Sequence, residues 1–328
     1  MTDFMQVMSF IGGAGCYVPV LVVVFWCVSP RAGAGAVVVV IMSGALNVFL
    51  KIEIHAPRPY WTDPEITAHE PLATFGMPSG HAQSAAVAYG LLGMLAVRLA
   101  HRAGAPRPGS TIAIWAGIGA VVGLIGVSRV YLGVHSAGQV LAGWLIGAAL
   151  LVAARVLEPV VVPWWQNRRL RVQLGLSLAG SLAFLVPTAV AVAELRSWRW
   201  PVTWARAIES AGGSVGPITL VDGAAVTGTL CGVIAGASLL ARRGWFEPGG
   251  TPWRRIARVP IGAGGVGVIL LAGWLAGDTS AGIFATCAVA GGWLTAGAPE
   301  AFVRLGLATR DPKRSTRHSQ DALPAGRF

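Results

Sequence analysis

Two histidines, three cations and two hydroxyls stand at the ends of apolar stretches in this 328-residue chain. Together they have the chemistry to grip and transfer a phosphoryl group. Met77-Pro78-Ser79-Gly80-His81 opens the apolar run 82–97. A Ser-Gly-His turn at a helix start offers an anion free backbone N–H groups, the positive end of a helix dipole and a titratable imidazole. Upstream, Lys51 precedes Arg58-Pro59; downstream, Ser128-Arg129 precedes His135, with Gln139 one helical turn further on. Lys51, Arg58 and Arg129 would bring three positive charges to a phosphate, each charge-assisted hydrogen bond contributing about 1.5–3 kcal/mol. Arginine's planar fork suits paired phosphate oxygens and the charge that develops on them in a transition state. Ser79 and Ser128 would donate hydroxyls to the same oxygens, although Ser79 also reads as a helix cap. Gly80 would let the backbone come close. Taken singly, each cation reads as an anchor snorkelling from a helix end and each histidine as a structural residue. At this spacing the set reads as one site.

These residues, in this order, resemble the type 2 phosphatidic acid phosphatase superfamily, the lipid phosphate phosphatases akin to vanadium haloperoxidases. The pattern there is Lys-x6-Arg-Pro, then Pro-Ser-Gly-His, then Ser-Arg-x5-His-x3-Asp. Here it is matched by Lys51, Arg58, Pro59, Pro78, Ser79, Gly80, His81, Ser128, Arg129 and His135, over roughly residues 1–195. The resemblance implies that His135 attacks phosphorus to form a phosphohistidine. It implies that His81 protonates the leaving alkoxide and later helps activate water, a role suited to an imidazole with an ordinary pKa near 6.5. It implies a reaction without cofactor or metal. His55 and His69, with Glu53, Asp63 and Glu70, match no defensible ligand spacing. The pattern departs at Gln139, where the superfamily usually has Asp. A glutamine oxygen can still accept the imidazole N–H and fix the tautomer, but it brings no charge. Glutamine there is similar to the glucose-6-phosphatase branch, and a less basic His135 is expected.

The elements that must position these groups are read from composition. The chain is 54% hydrophobic and only 12% charged, with mean hydropathy +0.64; soluble domains run near 25% charged. The expectation is an all-α polytopic transmembrane bundle. A span needs about 20 mostly apolar residues, and nine candidates appear, near 8–28, 34–50, 80–98, 111–127, 135–154, 172–193, 218–241, 259–276 and 281–298. A six-span phosphatase core over 1–195 is expected, then three more spans within 196–305. A basic, unstructured cytoplasmic tail is expected over 306–328, because its polar end has no apolar periodicity. Between the two sets of spans, Trp198, Trp200 and Trp204 alternate with Arg196, Arg199 and Arg206, which fits either an amphipathic interface helix or a polar loop. Arg102, Pro106, Arg107 and Pro108 mark a short basic turn. Asp222 reads as an outer-interface residue or a partner for an outer-loop arginine. The N-terminus has no basic stretch before its apolar run, unlike a cleaved signal peptide.

The net charge of +11 comes almost wholly from arginine. Alternate loops carry most of it, which is the signature of cytoplasmic loops rather than of a nucleic-acid platform. The motifs and the N-terminus then fall outside, and the C-terminus inside. Cys16, Cys27, Cys231 and Cys287 lie within apolar runs as small buried hydrophobes. The Ala/Gly/Arg-rich composition points to a bacterial cell membrane. The leading function is hydrolysis of a phosphate monoester or diphosphate on a prenyl, glycerol or sphingoid lipid. The alternatives are a soluble sugar-phosphate phosphatase, a lipid phosphotransferase, and a transporter that keeps the fold, which the three extra spans favour slightly.

Overall fold

In a bilayer no water satisfies a backbone N–H or C=O, so the apolar runs must close as helices. The computed structural model describes residues 1–102, 108–213, 216 and 218–311. Its helices are α1 (Thr2–Gly12), α2 (Ala14–Cys27), α3 (Pro30–Ile54), α4 (Pro59–Thr62), α5 (Gly80–Arg102), α6 (Pro108–Tyr131), α7 (Ala137–Gln166), α8 (Leu170–Leu195), α9 (Val202–Ser210), α10 (Val221–Arg243), α11 (Pro252–Ala276), α12 (Ser280–Gly292) and α13 (Ala298–Arg304). Eight helical stretches are long and apolar enough to cross a membrane; α1 and α2, bent by 45° at Gly13, together make a ninth. The expected nine spans are therefore eight continuous ones and a broken one. The last is itself interrupted: α12 and α13 are joined by a π-helical turn, Trp293–Gly297. There the Thr295 hydroxyl lies within hydrogen-bonding distance of the Val233 carbonyl on α10, at 3.1 Å, and of Gly291 on its own helix, at 2.9 Å.

Several ends differ from the sequence reading. α7 runs on past Ala154 through Pro159 and Pro163 to Gln166. At about 1.5 Å per residue it outruns a 30 Å hydrocarbon core. Beyond its end, the Arg168 guanidinium lies 4.6 Å over the Trp164 ring. The tail begins ordered: Thr309–Arg310 (β2) pairs antiparallel with Phe246–Glu247 (β1). The expectation of an unstructured tail from 306 is thus corrected for 306–311, and 312–328 lie outside the described residues, as do Pro106 and Arg107 of the basic turn. Asp222 is exposed in the first turn of α10, an acid at the positive end of its helix dipole.

With lipid on the outside, helices gain most from close van der Waals approach. α10 lies backbone against backbone on α12, so that a Cβ on Gly232 would fall 1.9 Å from the Ala288 carbonyl oxygen. α7 lies as closely on α5: a Cβ on Gly143 would fall 2.6 Å from the Ser79 carbonyl oxygen. Two aromatic-rich clusters close the ends of the bundle. One gathers Phe25, Trp26, Phe246, Phe302 and Leu307 beside the β1–β2 pair. The other gathers Ile52, Tyr60, Trp61, Phe75, Leu132 and Val134 beneath the motif loops. The Trp-rich stretch belongs to this second cluster. α9 packs on α4, with Trp204 5.8 Å from Trp61 and 6.0 Å from Trp198. The stretch is part loop and part helix: Trp198 and Trp200 precede α9, Trp204 lies on it, and Trp198 and Trp204 pack against Phe75 and Trp61 of the motif loop.

Candidate active site

The first motif straddles the end of α3. Lys51 lies in its last turn, and His55 caps it in the left-handed region at φ 38°, turning the chain into Arg58-Pro59. Proline fixes the first turn of α4. The loop then doubles back, with Gly76 N–H donating to Ala56 C=O at 2.8 Å. Lys51 Nζ donates to Phe75 C=O at 2.5 Å. Arg58 is 1% exposed. Its Nε donates to Thr74 C=O at 2.7 Å and its Nη2 to Thr74 Oγ1 at 2.9 Å. Its Nη1 donates to Val134 C=O at 2.9 Å and to His135 Nε2 at 3.0 Å. The first motif is thus bonded to the third across 77 residues.

The third motif is built at the end of α6. Arg129 sits in the last turn, the chain reverses at Gly133 (φ 73°), and the N–H groups of Val134 and His135 return to Arg129 C=O at 3.3 and 3.2 Å. Ser136 then caps α7 in a reciprocal capping box with Gln139. The Gln139 oxygen lies 3.0 Å from His135 Nδ1, while its amide nitrogen donates to Pro57 C=O at 2.8 Å. That second bond fixes which end of the amide faces the ring. An arginine can only donate, so Nε2 must be an acceptor and Nδ1 carries the proton. Burial, then the charges of Arg58, Lys51 and Arg129, hold the His135 pKa well below the ordinary 6.5; the Gln139 bond acts weakly the other way. His135 is neutral at pH 7, with a lone pair on Nε2.

The second motif docks onto the third through Ser79, whose N–H donates to Gln139 C=O at 3.0 Å. α5 starts at Gly80, and a Cβ there would lie 3.0 Å from Asn47 Oδ1. Asn47 and Gln83 bond to each other at 2.9 Å, and Gln83 donates to Ser43 C=O at 2.9 Å, fastening the start of α5 to α3. His81 is half-buried beside the α1–α2 bend, where a Cβ on Gly13 would lie 3.6 Å from its Nε2. Ser128 is buried, and its hydroxyl donates to Ile125 C=O in its own helix at 2.7 Å.

Arg129 and Ser79 differ from these well-bonded groups. Arg129 is fully buried; its Nη1 donates to Glu70 Oε2 at 2.7 Å and to Ser9 Oγ, while Nε and Nη2 have no partner. Ser79 Oγ is likewise buried and unpartnered. A buried unsatisfied donor costs about 1–3 kcal/mol; the second motif holds one and the third motif two. Their geometry and type suit an anion with several oxygens.

Ser9, Thr74, Asn47 and Gln83 were not singled out by sequence reasoning, and Glu70 only as an outer acid or metal ligand. Asn47 stands one turn before Lys51 on α3, a spacing that marks a shared face. Nothing local marks Ser9, which reaches Arg129 across 120 residues. The other residues weighed as metal ligands point apart. His69 stacks on Tyr131, with ring centroids 6.5 Å apart, His55 sets its edge against Trp198 at 5.3 Å, and Asp63 accepts from Glu65 N–H at 2.9 Å.

Two family models match the chain. The model of the PAP2 superfamily matches residues 32–170, which hold all three motifs. A model described as the transmembrane extension of PAP2 superfamily phosphatases matches residues 224–310. Phosphatidylglycerophosphatase B of Bacillus subtilis (strain 168) is 37% identical over 105 residues, 32% of this chain and 47% of that protein. The chain thus spans about half the length of that relative. The crystal structure of a transmembrane PAP2-type phosphatidylglycerolphosphate phosphatase from Bacillus subtilis aligns at 23% identity and TM-score 0.42, over 48% of this chain and 76% of that one. With its motif segment and its C-terminal helices both matched, this multi-span membrane protein belongs to the PAP2 superfamily.

Proposed function

We propose that the protein is an integral membrane phosphatase. It hydrolyses a phosphate monoester or diphosphate of a lipid on the extracytoplasmic side, through a phosphohistidine on His135. The observation that carries this reading is that Ser79 Oγ of the second motif and Arg129 Nε and Nη2 of the third are buried and unpartnered, while the motifs themselves are bonded to one another through Ser79 N–H to Gln139 C=O and Arg58 Nη1 to His135 Nε2. A phosphoryl group supplies the oxygens these donors lack.

In the proposed reaction the phosphate takes the place of His135 Nε2 as partner of Arg58 Nη1, and the freed lone pair attacks phosphorus. The P–O bond to the alcohol breaks as the N–P bond forms, and His81 gives its proton to the leaving oxygen. Lys51, Arg58 and Arg129 balance the charge on the equatorial oxygens, assisted by the Ser79 hydroxyl and by N–H groups at the start of α5 near Gly80. Ser128 joins them by turning its hydroxyl from Ile125. Water then attacks phosphorus while His81 takes its proton. The N–P bond breaks, its electron pair returns to Nε2, and inorganic phosphate leaves. Gln139 holds the tautomer throughout.

A lipid is favoured because the site sits at one end of a bundle of spans and because the curated relative is named for a phosphatidylglycerophosphate. The outer side is favoured because arginines crowd the opposite end of the bundle. Gln139 supports a second reading, a soluble sugar phosphate. The test is release of inorganic phosphate by the purified protein, with a metal chelator present, from a panel of lipid mono- and diphosphates and sugar phosphates. Release from lipid esters that disappears in His135→Ala is the expected result. Turnover of sugar phosphates alone would favour the second reading, and no turnover of any ester would end both.

A further inference from the structure

Arg129 is held by one corner only. Nη1 takes both available acceptors, Glu70 Oε2 at 2.7 Å and Ser9 Oγ, and Ser9 Oγ itself donates to Glu70 Oε2 at 2.8 Å. Three groups thus close a small ring of contacts at one nitrogen. The edge formed by Nε and Nη2, which presents two parallel N–H bonds, is buried and bare. It is the edge that pairs side-on with two oxygens of a phosphate. A carboxylate free to choose would take this bidentate edge. Here Glu70 takes the other corner.

Ser9 comes from α1, which precedes the matched family segment. α1 has an apolar outer face, with Phe4, Val7 and Phe10 exposed, and it buries Met5, Met8, Ser9 and Gly12. Ser9 is the only hydroxyl on that buried face, and it points at Arg129. The Glu70 carboxylate is 31% exposed, so it reaches Arg129 from the rim of the site.

We infer that Glu70 and Ser9 are positioning residues: they clamp Nη1 so that the Nε/Nη2 edge of Arg129 stands ready for the phosphoryl oxygens. This rests on the phosphate-binding role proposed above for Arg129. Pinning the guanidinium before the ligand arrives removes its ordering from the cost of binding. The clamp also ties α1 to the site, so the broken first span belongs to the binding machinery.

The test is a double-mutant cycle on the purified full chain, reading the dissociation constant of inorganic phosphate by calorimetry. Glu70→Ala is expected to weaken phosphate at least about 10-fold and Ser9→Ala about 3-fold, within the range of couplings between groups in contact. In an Arg129→Ala background both losses should shrink below about 2-fold, since neither residue then has anything to orient. If Glu70→Ala bound phosphate as tightly as wild type or more tightly, Glu70 would be a bystander or a competitor and the inference would fall. It would fall equally if the losses persisted without Arg129. Should Glu70→Ala not fold, the Ser9→Ala half of the cycle decides alone. Calorimetry needs no turnover. Coupled phosphate binding without hydrolysis would overturn the phosphatase reading and leave the clamp standing, while hydrolysis with additive losses would do the reverse.

Discussion

At Nδ1 of His135 the partner is an uncharged amide oxygen, 3.0 Å away, held in place by the Pro57 carbonyl. The ring is therefore held in one orientation but is not made more basic by an adjacent anion. Burial and three cations push its pKa well below 6.5, so the imidazole stays neutral as pH falls through 6.5. Gln139→Asp adds a negative charge that stabilises the imidazolium, so the His135 pKa must rise. The acid limb of kcat/KM is expected to move to higher pH by at least about one unit, the size of shift an adjacent opposite charge produces. A pH profile of both proteins checks it; an unmoved limb would mean that His135 is not the titrating base. That Arg58 and His135 stand together was legible from the motifs and their spacing, while the roles proposed for the two histidines rest on the family resemblance. The acceptors that complete the geometry of the arginines (Thr74 and Val134 for Arg58, Glu70 and Ser9 for Arg129) were not legible. They meet through the fold and leave no pattern along the chain.

The helices set how finely these groups are placed, and α5 against α7 matters most. Gly143 and Gly147 let α7 touch the backbone of α5 at Ser79 and Gln83; a Cβ at either would lie 2.6 Å from the respective carbonyl oxygen. Alanine at each position forces the pair apart, at a cost of about 1–3 kcal/mol for overpacking. Gly143→Ala and Gly147→Ala should lower the thermal midpoint by similar amounts. Gly143→Ala should lower kcat/KM more, because it displaces Ser79 at the site and Gly147→Ala acts a turn away. Equal losses of kcat/KM at equal loss of stability would contradict this. Span positions were readable from apolar length alone. The bend at Gly13, the π turn at Trp293 and the docking of α9 on α4 were not; the last two involve contacts with a neighbouring element, Thr295 reaching Val233 and Trp61 meeting Trp204.

Across the whole molecule the two ends of the bundle differ in character. The end opposite the site carries Arg31, Arg168, Arg242, Arg243 and Arg258 among its many cations. It is tied together by Arg31 with Asp311 at 2.9 Å, by Arg242 with the Arg168 carbonyl, and by a fully buried Arg258 that donates to Trp26, Pro248, Gly249 and Leu307 carbonyls. The site end carries few cations beyond Lys51, Arg58 and Arg129 and is closed by the aromatic cluster around Trp61. This polarity gives the proposed orientation its physical basis: a basic end retained in the cytoplasm and a phosphoryl site beyond the other leaflet. The three C-terminal spans extend the bundle through α10, which packs on α3, α8 and α12, so the extension and the motif-bearing helices share one interior. The most direct test adds a short-chain lipid phosphate labelled with 32P to sealed right-side-out vesicles, quenches within milliseconds in alkali and maps the label. The account predicts an acid-labile, alkali-stable phosphoryl group on the peptide that contains His135, formed without opening the vesicles. A label on any other residue, or one that forms only after the vesicles are opened, would contradict it.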